Sequence, residues 1–175
     1  MERLASYNIV PAGPGDAAAL ARVHVRSWRE TYAGLLPGSF LAQMNTADYA
    51  RRWRRQLMTC EGAEVVLCAE GVGGLVGYCA ASTDGALTEV STLYIIRPAQ
   101  RRGLGRRLLA SAAQVGRAHG ACALQLWVLE GNARARSFYE HLGGVPGDQR
   151  TLGHGGSELV EIAYRWNDVR QLSGS

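Results

Sequence analysis

A β-like run from Leu87 to Ile96 gives way to Gln100-Arg101-Arg102-Gly103-Leu104-Gly105 and then, without a linker, to a helical segment that ends near His119. That order constrains the fold more than any other feature of the chain. A strand that turns through glycines directly into a helix brings the helix back against its own sheet, so both elements share one core. Within the helical segment Leu104, Leu108, Ala112 and Val115 form the apolar face, and Gly116 and Gly120 loosen and end it. The same order makes an anion site. The first N–H groups of a helix have no acceptor within it and lie at the positive end of its dipole, and Gly103 and Gly105 allow a close main-chain approach. Arg101, Arg102, Arg106 and Arg107 add permanent charge. The plainer reading of these arginines is a solvated face beside an ordinary helix start.

The flanking segments predict one α+β domain. Tyr7 to Val10 is a short strand stopped by Pro11, and Asp16 stands as N-cap before an alanine-rich helix reaching about Tyr32. Gly34 and Pro37 break that helix, and Ser39 to Met44 and Ala47 to Leu57 read as shorter ones. Glu64 to Ala69, Leu75 to Ser82 and Leu87 to Ile96 form an antiparallel meander with turns at Gly71 to Gly74 and Asp84-Gly85. Leu124 to Leu129 is a buried strand, Asn132 caps a helix ended by Gly143-Gly144, and two last strands flank a turn at Gly153 to Gly156. No repeat and no long linker interrupts the series. The expectation is a single domain over residues 1 to 170, with a mixed sheet of about six to seven strands flanked by about four helices, and a loose tail at 171 to 175.

Composition excludes several chemistries. All 19 cations are arginine, so no lysine is present to serve a Walker-type phosphate loop, a Schiff base or a lysine catalyst. Cys60, Cys68, Cys79 and Cys122 show no C-x-x-C spacing, and four scattered histidines form no H-x-x-x-H pair, which predicts reduced thiols and no metal. No window approaches the roughly 20 apolar residues of a membrane span, and residues 1 to 20 lack the pattern of a secretory signal, so a soluble cytoplasmic protein is expected. The net charge of +4 suits an anionic ligand. Among the second arginine group, Arg51, Arg52, Arg54 and Arg55, only Trp53 is interleaved, which argues against nucleic acid. Gly13-Pro14-Gly15-Asp16-Ala17-Ala18 satisfies G-x-G-x-x-A, but Pro14 removes an N–H and Asp16 puts a negative charge where a pyrophosphate would sit.

Gln100 to Gly105 matches in full the Q/R-x-x-G-x-G/A signature of the GNAT superfamily of acyl-CoA-dependent N-acetyltransferases, and the chain resembles that family at a second place. Asn132-Ala133-Arg134-Ala135-Arg136-Ser137-Phe138-Tyr139-Glu140-His141-Leu142-Gly143 is similar to its N-x-x-A-x-x-x-Y-x-x-x-G segment. The likeness covers residues 64 to 165 well and the first 60 residues mainly in helical layout. Two departures are visible: Pro98 lies one residue nearer the loop than is usual, and Gly144 replaces the aromatic expected after Gly143.

The resemblance implies a GNAT fold, acetyl-CoA as co-substrate and a small-molecule or peptide amine as acceptor, with a homodimer as a common outcome. It implies that Gln100, Arg101, Arg102, Gly103, Leu104, Gly105 and Arg106 wrap the CoA pyrophosphate. Leu93, Tyr94 and Ile95 would lend main-chain groups to the pantetheine arm, Asn132 would contact the cofactor, and Tyr139 would protonate the departing thiolate. An alkylammonium with a pKa near ~10 cannot attack a thioester, so a carboxylate base is needed. Glu89 is the candidate: it stands six residues before Ile95 on the same strand, a spacing that predicts a face shared with Leu93, and it resembles the place where many family members keep a glutamate; the plainer reading is a surface glutamate on the meander. The equivalent position on the following strand is Trp127, which cannot titrate, and Glu130 is held in reserve. Trp28 and Tyr32, four apart on the first helix, are expected to line the acceptor site, with plain core packing as the other reading. The arginines around Trp53 suggest an acidic group on the acceptor. The rival function is a non-catalytic acyl-CoA-binding or sensor domain.

Overall fold

The computed structural model describes residues 6 to 154 and 157 to 172. In chain order the elements are β1 (Asn8–Pro11), α1 (Ala17–Thr31), α2 (Gly38–Gln43), α3 (Thr46–Thr59), β2 (Glu64–Gly71), β3 (Gly74–Asp84), β4 (Leu87–Ile95), α4 (Leu104–Ala118), β5 (Ala123–Leu129), α5 (Ala133–His141), β6 (Val145–His154) and β7 (Ser157–Trp166). Short 3-10 turns occupy Pro14–Asp16, Arg97–Ala99 and Val169–Leu172. The strands form one α+β sheet in the order β1-β2-β3-β4-β5-β7-β6. Only β4 and β5 are parallel; every other neighbouring pair is antiparallel.

Two apolar layers cover the sheet. On one face Leu104, Leu108, Leu109, Ala112 and Ala113 of α4 pack with Tyr139 of α5 against Leu67, Cys79, Val90, Leu126 and Ile162. On the other, Leu20, Ala21 and Val23 of α1 and Trp53 and Leu57 of α3 pack against Val66, Cys68, Tyr78 and Ala80. Strand alternation sends successive residues to opposite layers, which is why Cys68 and Cys79 meet different helices. All four cysteines are free, and burial pushes the thiols of Cys68 and Cys79 up to about 12.

Several local expectations are revised. Asp16 occupies the N-cap position of α1 but gives α1 no side-chain bond. Its Oδ2 accepts the N–H of Gly13 at 2.8 Å and closes the preceding turn instead. Asn45 caps α3, its Oδ1 accepting the N–H of Ala47 at 2.8 Å, so that helix starts at Thr46. Gly116 does not loosen α4, which runs on to Ala118. A β-carbon there would stand 1.9 Å from Oγ1 of Thr88, so the glycine lets α4 press onto β4. The tail expected from 171 overlaps the last 3-10 turn, in which Val169 and Leu172 are buried; residues 173 to 175 lie outside those described, as do Gly155 and Gly156 of the expected turn.

Candidate active site

β4 and β5 are hydrogen-bonded only where Leu87 to Val90 meet Ala123 to Leu126. Beyond that the strands separate, and Ser91 to Ile95 face Trp127 to Leu129 across a cavity of about 800 Å³. Because the separation opens in the sheet itself, the cavity is walled by residues of both layers.

On the α4 side it is walled by Gln100, Arg101, Gly103, Leu104, Gly105, Asn132 and Tyr139. Gly103 is the N-cap of α4 at φ +74°, a conformation that favours glycine, and having no side chain it leaves the first-turn N–H groups uncapped. Arg107 N–H is the first to return a helical bond, to the carbonyl of Gly103 at 3.1 Å. Gln100 fixes the loop by donating from Nε2 to the carbonyl of Ile95 at 2.7 Å. Gly105 has a packing reason for lacking a side chain: its β-carbon would stand 2.8 Å from Cζ of Phe138. Arg102 and Arg106 lie outside the lining, and Arg107 donates to the carbonyl of Tyr7, just before β1, at 2.8 Å.

Asn132 caps α5 through Oδ1, which accepts the N–H of Ala135 at 3.2 Å. Two turns on, Tyr139 is 7% exposed and reaches the same cavity. Burial pushes its phenol pKa well up, with a further contribution from Tyr32, so it stays protonated through the neutral range.

On the α1 side the walls are Trp28, Tyr32, Leu36, Tyr94, Trp127, Leu159 and Glu161. Tyr32 and Tyr94 hold their hydroxyls 2.8 Å apart, and burial raises both pKa values. The indole N–H of Trp28 is buried with no hydrogen-bond partner among the described residues. Behind this wall His24 stacks between Trp28 and Tyr49, its Nδ1 2.7 Å from the Tyr78 hydroxyl. Burial, and then the charge of Arg52, lower its pKa to about 4.

Leu93, Tyr94, Ile95, Trp28 and Tyr32 are thus brought together with the α4 loop, Asn132 and Tyr139. Glu89 is not. It is exposed and outside the cavity lining, paired with Ser82 and Gln125. The expected shared face with Leu93 fails for a definite reason. Cys79 faces Leu93 and Ala81 faces Val90, so Ser91 is an extra residue that reverses the alternation and turns Glu89 away from the α4 layer. Arg51, Arg52, Arg54 and Arg55 are exposed on α3 and line none of the cavity.

Sequence reasoning missed Glu161 and Phe138. Phe138 sits inside the recognised α5 segment, but its contact with Gly105 is tertiary. Glu161 carried no local signal, because its place depends on β7 entering the sheet between β5 and β6. Among the described residues no group of three His, Cys, Asp or Glu could hold a metal ion, and no helix is long and apolar enough to cross a membrane.

Residues 23 to 144 match the model of the Acetyltransferase (GNAT) family. The chain is 26% identical over 162 residues to the uncharacterized N-acetyltransferase YuaI of Bacillus subtilis, covering 90% of this chain and 91% of that one. Its fold is similar to the PaiA N-acetyltransferase of Thermoplasma acidophilum solved in complex with coenzyme A, with a TM-score of 0.73 and 21% identity over 90% of this chain and 98% of that one. It is also similar to YncA of Salmonella typhimurium solved with its cofactor acetyl-CoA, with a TM-score of 0.69 and 18% identity over 92% and 93% of the two chains. A family match across most of the chain, on a sheet whose separated strands open beside an uncapped glycine-led helix, shows that the protein belongs to the GNAT acetyltransferase family.

Proposed function

We propose that the protein transfers an acetyl group from acetyl-CoA to a primary amine by direct attack in a ternary complex, with no acyl-enzyme intermediate. The observation that carries this reading is the meeting of the uncapped α4 N-terminus, the unpaired edges of β4 and β5 and the Tyr139 ring in one cavity. The residues fit the substrate. N–H groups of Gly103, Leu104, Gly105 and Arg106, with the Arg101 guanidinium, suit a diphosphate. The β4 edge from Ser91 to Ile95 offers main-chain groups to an amide-bearing arm.

In the reaction the amine nitrogen bonds to the thioester carbonyl carbon, and the carbon–sulfur bond breaks. Tyr139 gives its phenolic proton to the leaving sulfur and is reprotonated from water. The proton lost by the ammonium leaves on the α1 side of the sheet. Glu89 lies on that side but outside the cavity, so it serves as base only through intervening water. Support for acetyl-CoA comes from the family match and from the two neighbouring folds solved with coenzyme A or acetyl-CoA.

The test is release of free thiol from acetyl-CoA across a panel of amines. Acceptor-dependent release is expected. A protein that binds acetyl-CoA and releases no thiol with any amine is a binding or sensor domain, and the transferase reading fails.

A further inference from the structure

The acceptor side of the cavity has an unequal charge distribution. Among the described residues two carboxylates line it, Glu30 and Glu161. Glu30 is occupied: it accepts from Nε of Arg26 at 2.8 Å and from the main-chain N–H of Arg97 at 2.8 Å, which ties α1 to the start of the phosphate loop. Glu161 is held differently. Arg150, opposite it on β6 and outside the cavity lining, places Nε and Nη2 each 2.7 Å from Oε2. Among the described residues, Oε1 has no hydrogen-bond donor. Arg150 is in turn fixed by stacking 4.2 Å over the ring of Trp127. The carboxylate is therefore gripped by one oxygen from the solvent side and presented to the cavity.

Its direction follows from the sheet. Val128 and Ile162 pair with each other and join the α4 layer, so their neighbours Leu129 and Glu161 point to the α1 face. Burial, and next the charge of Glu161, raise the pKa of Tyr32, which agrees with a carboxylate close to that phenol. Around it the wall is apolar and aromatic: Trp28, Tyr32, Trp127, Leu36, Leu152 and Leu159. Aromatic faces beside a single available carboxylate attract a cation and leave room for an apolar body. A carboxylate brought in beside Oε1 would face a like charge that Arg150 offsets in part from the other oxygen.

We propose that Glu161 receives the ammonium group of the acceptor, and that the acceptor is a small monoamine with an apolar or aromatic body. The word acceptor rests on the transferase reading above; the binding claim does not. It is tested by calorimetry on the protein saturated with CoA, using 2-phenylethylamine, the uncharged 2-phenylethanol and phenylalanine, which adds a carboxylate. The amine is expected to bind at least tenfold more tightly than either of the others. Glu161→Gln should reduce the preference for amine over alcohol to less than threefold with CoA affinity unchanged. Arg150→Gln, which frees Oε2, should preserve or widen that preference. The proposal is overturned if amine and alcohol bind equally or neither binds at millimolar concentration. It is also overturned if phenylalanine binds best, if Glu161→Gln keeps the preference, or if Arg150→Gln abolishes it. Thiol release is measured in parallel: if the amine binds through Glu161 while no amine of the panel releases thiol, the transferase reading is overturned and the binding claim stands.

Discussion

Gly105 on α4 and Phe138 on α5 are packed so closely that a β-carbon on the glycine would stand 2.8 Å from the ring. The loop that opens α4 and the helix that carries Tyr139 therefore meet closely at this contact. Gly105→Ala should push α5 outward, an overpacking cost of about 1 to 3 kcal/mol, and should lower both kcat and acetyl-CoA affinity. Adding Phe138→Leu should restore much of each, because it opens the colliding volume. Kinetics and calorimetry on the double variant decide the matter: no recovery would show that Gly105 matters to the ligand alone.

Tyr139→Phe removes a hydroxyl and keeps the ring that packs near Tyr164 and Trp166. Thermal stability and acetyl-CoA affinity should stay nearly constant while kcat falls by about 10²- to 10⁴-fold. Because burial raises the phenol's pKa, the wild-type rate should show no loss of this acid on the mildly alkaline side. A variant that keeps most of its kcat when chemistry limits turnover would remove Tyr139 as the proton donor.

Glu89→Gln addresses the base. Acting through water from outside the cavity, Glu89 should contribute less than the about 10²-fold lower range of a directly placed base, and the effect should fall on kcat rather than on acetyl-CoA affinity. An unchanged kcat in the variant would leave proton removal to solvent or to another group, Glu130 being the next to test.

His24 makes stability depend on acidity. Its folded pKa of about 4 lies below the ordinary value of 6.5, so between these values the unfolded chain binds a proton that the folded one does not. Stability should be full above about pH 6.5 and fall by roughly 3 kcal/mol as the pH drops toward 4. Urea unfolding at pH 4.5 and pH 7 should show the loss in the wild type and a smaller one in His24→Gln. Equal losses in both would place the acid sensitivity elsewhere.

What was legible in the sequence is what is local. The strand, glycine loop and helix from Leu87 to Ala118 are contiguous, so spacing alone located the loop proposed to hold the diphosphate, and Asn132 and Tyr139 reach one cavity from a single short helix for the same reason. The acceptor side was poorly legible because it is assembled by pairing. Nothing in Thr88-Glu89-Val90-Ser91 announces that Ser91 is the extra residue, yet that one residue decides which way Glu89 points. Glu161 shares a cavity with Tyr32 only because β7 is inserted between β5 and β6, and the arginines of α3, conspicuous in the sequence, face solvent.

The parting of β4 from β5 also bears on solubility. Unpaired strand edges at the rim of a sheet are templates for another chain to add to. Here the open edges run from Ser91 to Ile95 and from Trp127 to Leu129, in the middle of the sheet, with three strands beyond one and two beyond the other. A strand adding at either rim of the sheet, on β1 or β6, would not reach them. The protein thus keeps a seam of open hydrogen-bonding capacity inside its sheet rather than at its rim.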